Sequence, residues 1–151
     1  MTSSPTARRP AEVLLVEDNQ GDVLLTREGF KRSSFPVNLH HVENGEDCLA
    51  FLKKEGAFAG VPTPDLILLD LNMPVMDGRE VMKILVADPR FCHVPVVVLT
   101  TSANEQDVWE MYSLRCSTYI VKPLDFEEFQ HIIQVIAEYW FSVATLPGAR
   151  P

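Results

Sequence analysis

The apolar residues of this chain fall into short unbroken runs, separated by stretches with helical spacing. Leu66, Ile67, Leu68 and Leu69 follow one another without interruption, and Asp70 ends the run. Strict alternation would mark a strand wetted on one face. A continuous run of this length between turn residues suits a strand covered on both faces, as in a parallel sheet. Residues 12–16 repeat the pattern and also end in acids, Glu17 and Asp18. Val37–Val42 reads as a short strand, 94–99 as the most apolar one, closed by Thr100-Thr101, and Thr118–Val121 as a fifth, followed by Lys122-Pro123.

Between the runs the period lengthens. Asn19 or Asp22 can cap a helix carrying Val23, Leu24, Leu25 and Phe30, which Ser33-Ser34-Phe35-Pro36 breaks. Asn44-Gly45 turns into a helix with Cys48, Leu49, Phe51 and Leu52, and 56–64 is a loop with two Gly and two Pro. A third helix starts near Gly78 and stops at about Asp88, before Pro89. A fourth covers roughly 104–114 and a fifth begins near Asp125. Five strands alternating with five helices predict parallel βα units in a three-layer α/β/α sandwich. One domain is expected over 1–151, with a core of about 11–141 and mobile ends at 1–10 and 145–151.

Composition narrows the function classes. Formal net charge is −8, and no basic run is longer than a pair such as Arg8-Arg9, so electrostatic binding to nucleic acid is not expected. No apolar stretch reaches the roughly 18 residues of a membrane helix, and 1–10 lacks the apolar core of a secretory signal. Cys48, Cys92 and Cys116 are far apart, with no CxxC, and the four histidines lack metal-ligand spacing. The cysteines read as buried, reduced thiols of a cytoplasmic protein.

The strand ends carry the chemistry. In a doubly wound sheet the first and third strands flank the switch point, which would bring Glu17, Asp18 and Asp70 to one crevice. Three close carboxylates repel one another unless a cation sits among them, and an all-oxygen set suits Mg²⁺. Leu71 and Asn72 would lie beside the ion and offer a backbone carbonyl. Thr100 and Lys122 end the fourth and fifth strands, where a hydroxyl and an ammonium would face the same crevice. Each residue also has a plainer reading: Asp70 as a turn residue, Thr100 as a helix cap, Lys122 as a solvated surface lysine. Together they equip an aspartate to accept a phosphoryl group as an acyl phosphate.

Glu17-Asp18, Asp70, Thr100 and Lys122-Pro123, with MPVMDG after the central aspartate, resemble the receiver domain of two-component response regulators. The likeness spans about 11–141. It implies a flavodoxin-like (βα)₅ fold with parallel strand order 2-1-3-4-5. It also implies that Asp70 takes phosphate from a sensor histidine kinase. Asp18 and Asp70 would bind Mg²⁺ directly, Asn72 through its main-chain carbonyl, and Glu17 through water. Lys122 would contact the phosphoryl group, Thr100 would be the switch hydroxyl, Tyr119 the aromatic switch, and the bond before Pro123 would be cis. One departure is 114–118, Leu-Arg-Cys-Ser-Thr, where many receivers carry small residues; Arg115 puts a tight turn there in doubt.

The last helix is apolar around about half its circumference, more than the roughly 100° stripe that a core alone requires. Phe126, Val135, Tyr139, Trp140 and Val143 are the expected self-association surface, with Trp109 and Tyr112 extending it. The 54–64 loop and the EYWF ending resemble small regulators paired with phytochrome-type kinases, which implies a red-light-sensing kinase partner and a homodimer. No output module is expected after the fifth helix. Two alternatives stay open: a Mg²⁺-dependent phosphohydrolase with an aspartyl nucleophile, and an interaction protein with a vestigial site. The first is disfavoured by Asn72, where such enzymes place a second acid, and by the lack of a cap segment.

Overall fold

The computed structural model describes residues 9–148. Its strands are β1 (Ala11–Val16), β2 (Val37–Val42), β3 (Leu66–Leu69), β4 (Val96–Thr100) and β5 (Thr118–Val121). They alternate with α1 (Gln20–Arg32), α2 (Gly45–Lys53), α3 (Gly78–Ala87), α4 (Glu105–Ser113) and α5 (Phe126–Glu138). Neighbouring strands pair in parallel in the order β2-β1-β3-β4-β5, as expected. The chain starts in the middle of the sheet, steps out to β2, then crosses back to β3. β1 and β3 therefore flank the point where the winding reverses, and a crevice opens beyond their carboxyl ends.

The layers explain the unbroken apolar runs. β3 and β4 are buried at every position, and β1 over its last four. Successive side chains point to opposite faces. Leu14, Val16, Ile67, Leu69 and Val98 pack against α2, α3 and Met111 of α4. Val13, Leu15, Leu66, Leu68, Val97 and Leu99 pack against α1 and α5. Close approach of α1 to α5 requires Gly29, where a Cβ would stand 2.6 Å from that of Ile133.

All five α-helices begin on a side-chain cap: Asn19, Asn44, Asp77, Asn104 and Asp125. Each cap contributes about 1 kcal/mol by satisfying an otherwise orphaned N–H. Asn19, not Asp22, caps α1, which leaves the Asp22 carboxylate free to face the crevice.

Several expectations need correction or completion. The 56–64 loop contains a 3₁₀ turn over Gly56–Phe58. Cys48 and Cys116 are buried free thiols, but Cys92 is exposed, because its neighbour Phe91 takes the inward position. The turn after α4 closes despite Arg115, which adopts φ 69° while Cys116 N–H donates to Met111. The left-handed conformation costs about 1–2 kcal/mol in a residue with a Cβ. The expectation of mobile ends falls largely on 1–8 and 149–151, outside the described residues; within them, Arg9 forms two 2.8 Å hydrogen bonds to Asp65.

α5 runs into a π-helical turn, Tyr139–Val143. Its inward face is Phe129, Ile133, Ile136 and Ala137, and Val135, Tyr139 and Val143 are exposed. Trp140 packs partly against the α1/α5 side of the core and stacks edge-on with Tyr139. Phe126 is exposed too, but nine residues of helix set it about 180° around the axis from Val135. The five residues expected to form one surface therefore do not share a face.

Candidate functional site

The sheet register places the acids. Val16 lies opposite Leu69, so Glu17 and Asp70 emerge side by side from β1 and β3. Asp70 N–H donates to the Val16 carbonyl at 3.1 Å, and Glu17 N–H to that of Val42 at 3.0 Å, so both stay tied to the sheet. Glu17, Asp18 and Asp70 each bring a carboxylate oxygen within 4.8 Å of the others. Glu17 and Asp70 are buried and Asp18 is exposed, which leaves the cluster open on one side.

The segment after Asp70 is shaped by its glycine. A Cβ on Gly78 would run into the Asp70 carbonyl oxygen and stand 2.9 Å from the Leu71 Cα. Without one, α3 begins directly against the loop that follows Asp70, and Gly78 N–H donates to the Leu71 carbonyl at 2.9 Å. Between them Met76 N–H closes back on Pro74 at 2.8 Å, forcing Val75 to φ 69° in a tight three-residue turn.

Lys122 enters from β5, where its N–H donates to the Thr100 carbonyl at 2.7 Å. Its Nζ donates to Glu17 Oε1 at 2.6 Å and Asp22 Oδ2 at 2.7 Å, and lies 3.5 Å from Asp70 Oδ2. The expected cis bond before Pro123 is absent: every peptide bond among the described residues is trans. Trans is the form that X–Pro bonds favour by about 0.5–1 kcal/mol, and Lys122 reaches all three acids with it.

Burial pushes the Glu17 carboxyl up to about 7; the hydrogen bond from Lys122 opposes the rise and the charge of Asp70 adds to it. Burial works against the Lys122 ammonium. Its hydrogen bonds to Asp22 and Glu17 and the charge of Asp70 outweigh that, holding it above the ordinary lysine range. Asp22 is the participant that sequence reasoning missed. The available signal was an acid in the first turn of the helix that follows Asp18.

Thr100 is buried and its Oγ1 accepts from Ser102 N–H at 3.4 Å. Tyr119 is partly buried, and its hydroxyl donates to the Ser102 carbonyl at 2.8 Å. Asn72 N–H donates to Asp70 Oδ1 at 3.4 Å, which folds the loop back over the acid. Glu17, Asp18, Asp70 and Lys122 thus converge directly, while Thr100 and Tyr119 meet through Ser102 on the adjoining flank. The donor set fits a divalent cation: three carboxylates, oxygen donors alone, and mutual repulsion that such an ion would relieve.

A doubly wound parallel sheet with acids at the ends of β1 and β3 and a lysine at the end of β5 defines a class of signalling protein. The chain matches the response regulator receiver domain over residues 13–134 and belongs to that family, the phosphoacceptor modules of two-component systems. It is 39% identical over 146 residues to response regulator Rcp1 of Synechocystis sp. (strain ATCC 27184 / PCC 6803 / Kazusa), covering 97% of this chain and 99% of that one. Among solved structures it is similar to the phosphorylated cyanobacterial phytochrome response regulator RcpA, with 41% identity and a TM-score of 0.89 over 93% of this chain and 100% of that one. The Mn²⁺-bound form of Rcp1 matches at 40% identity and a TM-score of 0.88, over 92% and 100% of the two chains. No helix among the described residues is long and apolar enough to cross a membrane.

Proposed function

We propose that Asp70 accepts a phosphoryl group from a sensor histidine kinase, and that the chain signals through the movement this causes, without turning over a substrate. The observation that supports this most is the buried Asp70 carboxylate with Lys122 Nζ 3.5 Å from its Oδ2, inside an acidic cluster. An Asp70 oxygen attacks phosphorus in line; the bond from phosphorus to the kinase's imidazole nitrogen breaks, and that nitrogen keeps the electron pair. Asp18, Asp70 and the Asn72 main-chain carbonyl, with Glu17 through water, are the residues that would hold Mg²⁺. Bound there, the ion would supply positive charge beside the phosphoryl oxygens.

Lys122 would exchange Glu17 and Asp22 for a phosphoryl oxygen. Phosphorylation adds about −2 of charge and strong acceptor oxygens at one point. Thr100 would turn its hydroxyl toward them and release the Ser102 N–H, and Tyr119, bonded to the same residue, would follow. Similarity to the phytochrome response regulator RcpA supports a phytochrome-type kinase as the upstream partner. The exposed Val135, Tyr139 and Val143, with Trp140 beside them, support a homodimer through α5. Phe126, on another face, lies outside that surface.

The test is incubation with acetyl phosphate and Mg²⁺. One equivalent of label per chain is expected, absent in Asp70→Asn, whose melting temperature should stay close to wild type. Repeated turnover of the donor would instead show a phosphohydrolase, and label retained in Asp70→Asn would move the acceptor elsewhere. For the dimer, Tyr139→Asp should raise the dissociation constant at least tenfold in sedimentation equilibrium; a monomeric wild type would remove that part of the proposal.

A further inference from the structure

Arg79, in the first turn of α3, is gripped from α4. Its Nε and Nη2 lie 3.0 and 2.8 Å from Asp107 Oδ1, with Asp77 at 3.6 Å, Glu110 at 3.9 Å and the Asn72 side-chain oxygen at 3.5 Å. The other oxygen of Asp107 accepts the Ser102 hydroxyl at 2.6 Å. Ser102 is also the residue that donates its N–H to Thr100 and accepts the Tyr119 hydroxyl on its carbonyl. Both groups expected to respond to a phosphoryl group are therefore joined at Ser102, and Ser102 is moored through Asp107 to Arg79. The mooring is partly sheltered: the Arg79 and Asp107 side chains are 24% and 18% exposed. Such a pair is screened less than one on the open surface.

We infer that Arg79 is a positioning residue: paired with Asp107, it latches the β4–α4 loop and sets how readily Thr100 and Tyr119 move toward a phosphoryl group on Asp70. The inference rests on Asp70 being the acceptor. When the Thr100 hydroxyl turns away, the Ser102 N–H loses its partner and the loop must shift. That shift stretches the Ser102–Asp107 hydrogen bond, and Arg79 holds its far end against α3. The rest of α4 offers little resistance of its own, since Met111 is its one buried residue. Releasing the latch lowers the cost of the shifted arrangement and so favours whatever binds it better.

The measurements are the initial rate of Asp70 labelling by acetyl phosphate at saturating Mg²⁺, and the affinity for beryllofluoride, a phosphoryl mimic. The second is read by Trp109 fluorescence on α4 in a Trp140→Phe background. Arg79→Ala and Asp107→Asn should each speed labelling and tighten beryllofluoride by about fivefold, the scale of a modest coupling between sites. The amide introduced by Asp107→Asn keeps an oxygen for Ser102, so this variant tests the ion pair with that hydrogen bond in place. The double variant should gain no more than either single one, and Arg79→Lys, lacking the planar fork, should fall between. Mg²⁺ affinity should stay within about twofold of wild type, because a latch acts on the moved state alone.

Single variants that label at the wild-type rate or slower would overturn the latch, as would effects that multiply in the double variant. A parallel change in Mg²⁺ affinity would overturn it too, by making Arg79 part of the cation site. No label in any form, wild type included, would sink the acceptor reading and the latch with it. A labelled wild type with unaltered variants would remove the latch alone.

Discussion

The acids stand on strands buried on both faces, as does Thr100 at the end of β4, whereas Tyr119, which would answer with it, belongs to a thinly anchored part of the molecule, α4 and β5. β3 is buried at all four positions; α1 buries Val23, Thr26, Gly29 and Phe30, and α5 buries Phe129, Ile133, Ile136 and Ala137. α4 buries Met111 alone, β5 has no fully buried residue, and the turn between them carries Arg115 in a left-handed conformation. Elements with few buried contacts open at low free energy, and moving parts are drawn from that end of the scale. The difference teaches a division of labour. A nucleophile gains from a fixed position, and a switch needs two arrangements of similar energy.

Substitutions of matched size on the two sides can break or sharpen this contrast. Leu68→Ala should cost about 3–4 kcal/mol and lower stability across the whole chain in one transition, measured by urea unfolding. Met111→Ala should cost about 2–3 kcal/mol. Its amide exchange should accelerate in α4 and β5 before the β1 and β3 amides lose protection; equal acceleration throughout would erase the contrast. Arg115→Gly should stabilise by about 1 kcal/mol, because glycine takes φ 69° without a Cβ clash.

The smallest effect concerns the opposite end of the sheet. Burial alone would raise Asp65; hydrogen bonds from Arg9 and from Glu12 N–H outweigh it and hold the carboxyl below the usual range. A carboxyl depressed in the folded state contributes stability above its unfolded pKa and loses it as pH falls through the folded one. Arg9→Ala should therefore cost about 0.5 kcal/mol at neutral pH, since Arg9 is largely exposed, and almost nothing in acid below both pKa values. Thermal melts at the two pH values would show it.

The same contrast decides what could be read from the sequence. Buried parallel strands write themselves as apolar runs, so β1, β3 and β4 were legible with the acids and threonine that end them. The helix starts near Asn44 and Asp125 were legible because their chemistry is local. Asp22 was not, since its partner Lys122 is 100 residues away and only the fold brings them together. The Arg79–Asp107–Ser102 chain escaped for the same reason, with each member looking like an ordinary polar residue near a helix start. Cys92 and Phe126 misled in a different way. Their residue types favour burial or contact, but neighbours and helical phase set their exposure.

Gly78 makes the flank beside α3 unyielding. The loop after Asp70 is stapled at one end by Gly78 to Leu71 and near the other by Gly45, whose N–H donates to the Met76 carbonyl at 2.9 Å. A Cβ at Gly45 would meet that same carbonyl at 2.6 Å, so both staples depend on bare backbone. A load placed on Asp70 meets backbone staples on this side, whereas beyond Thr100 the β4–α4 loop is held through the side chains of Thr100, Ser102 and Asp107.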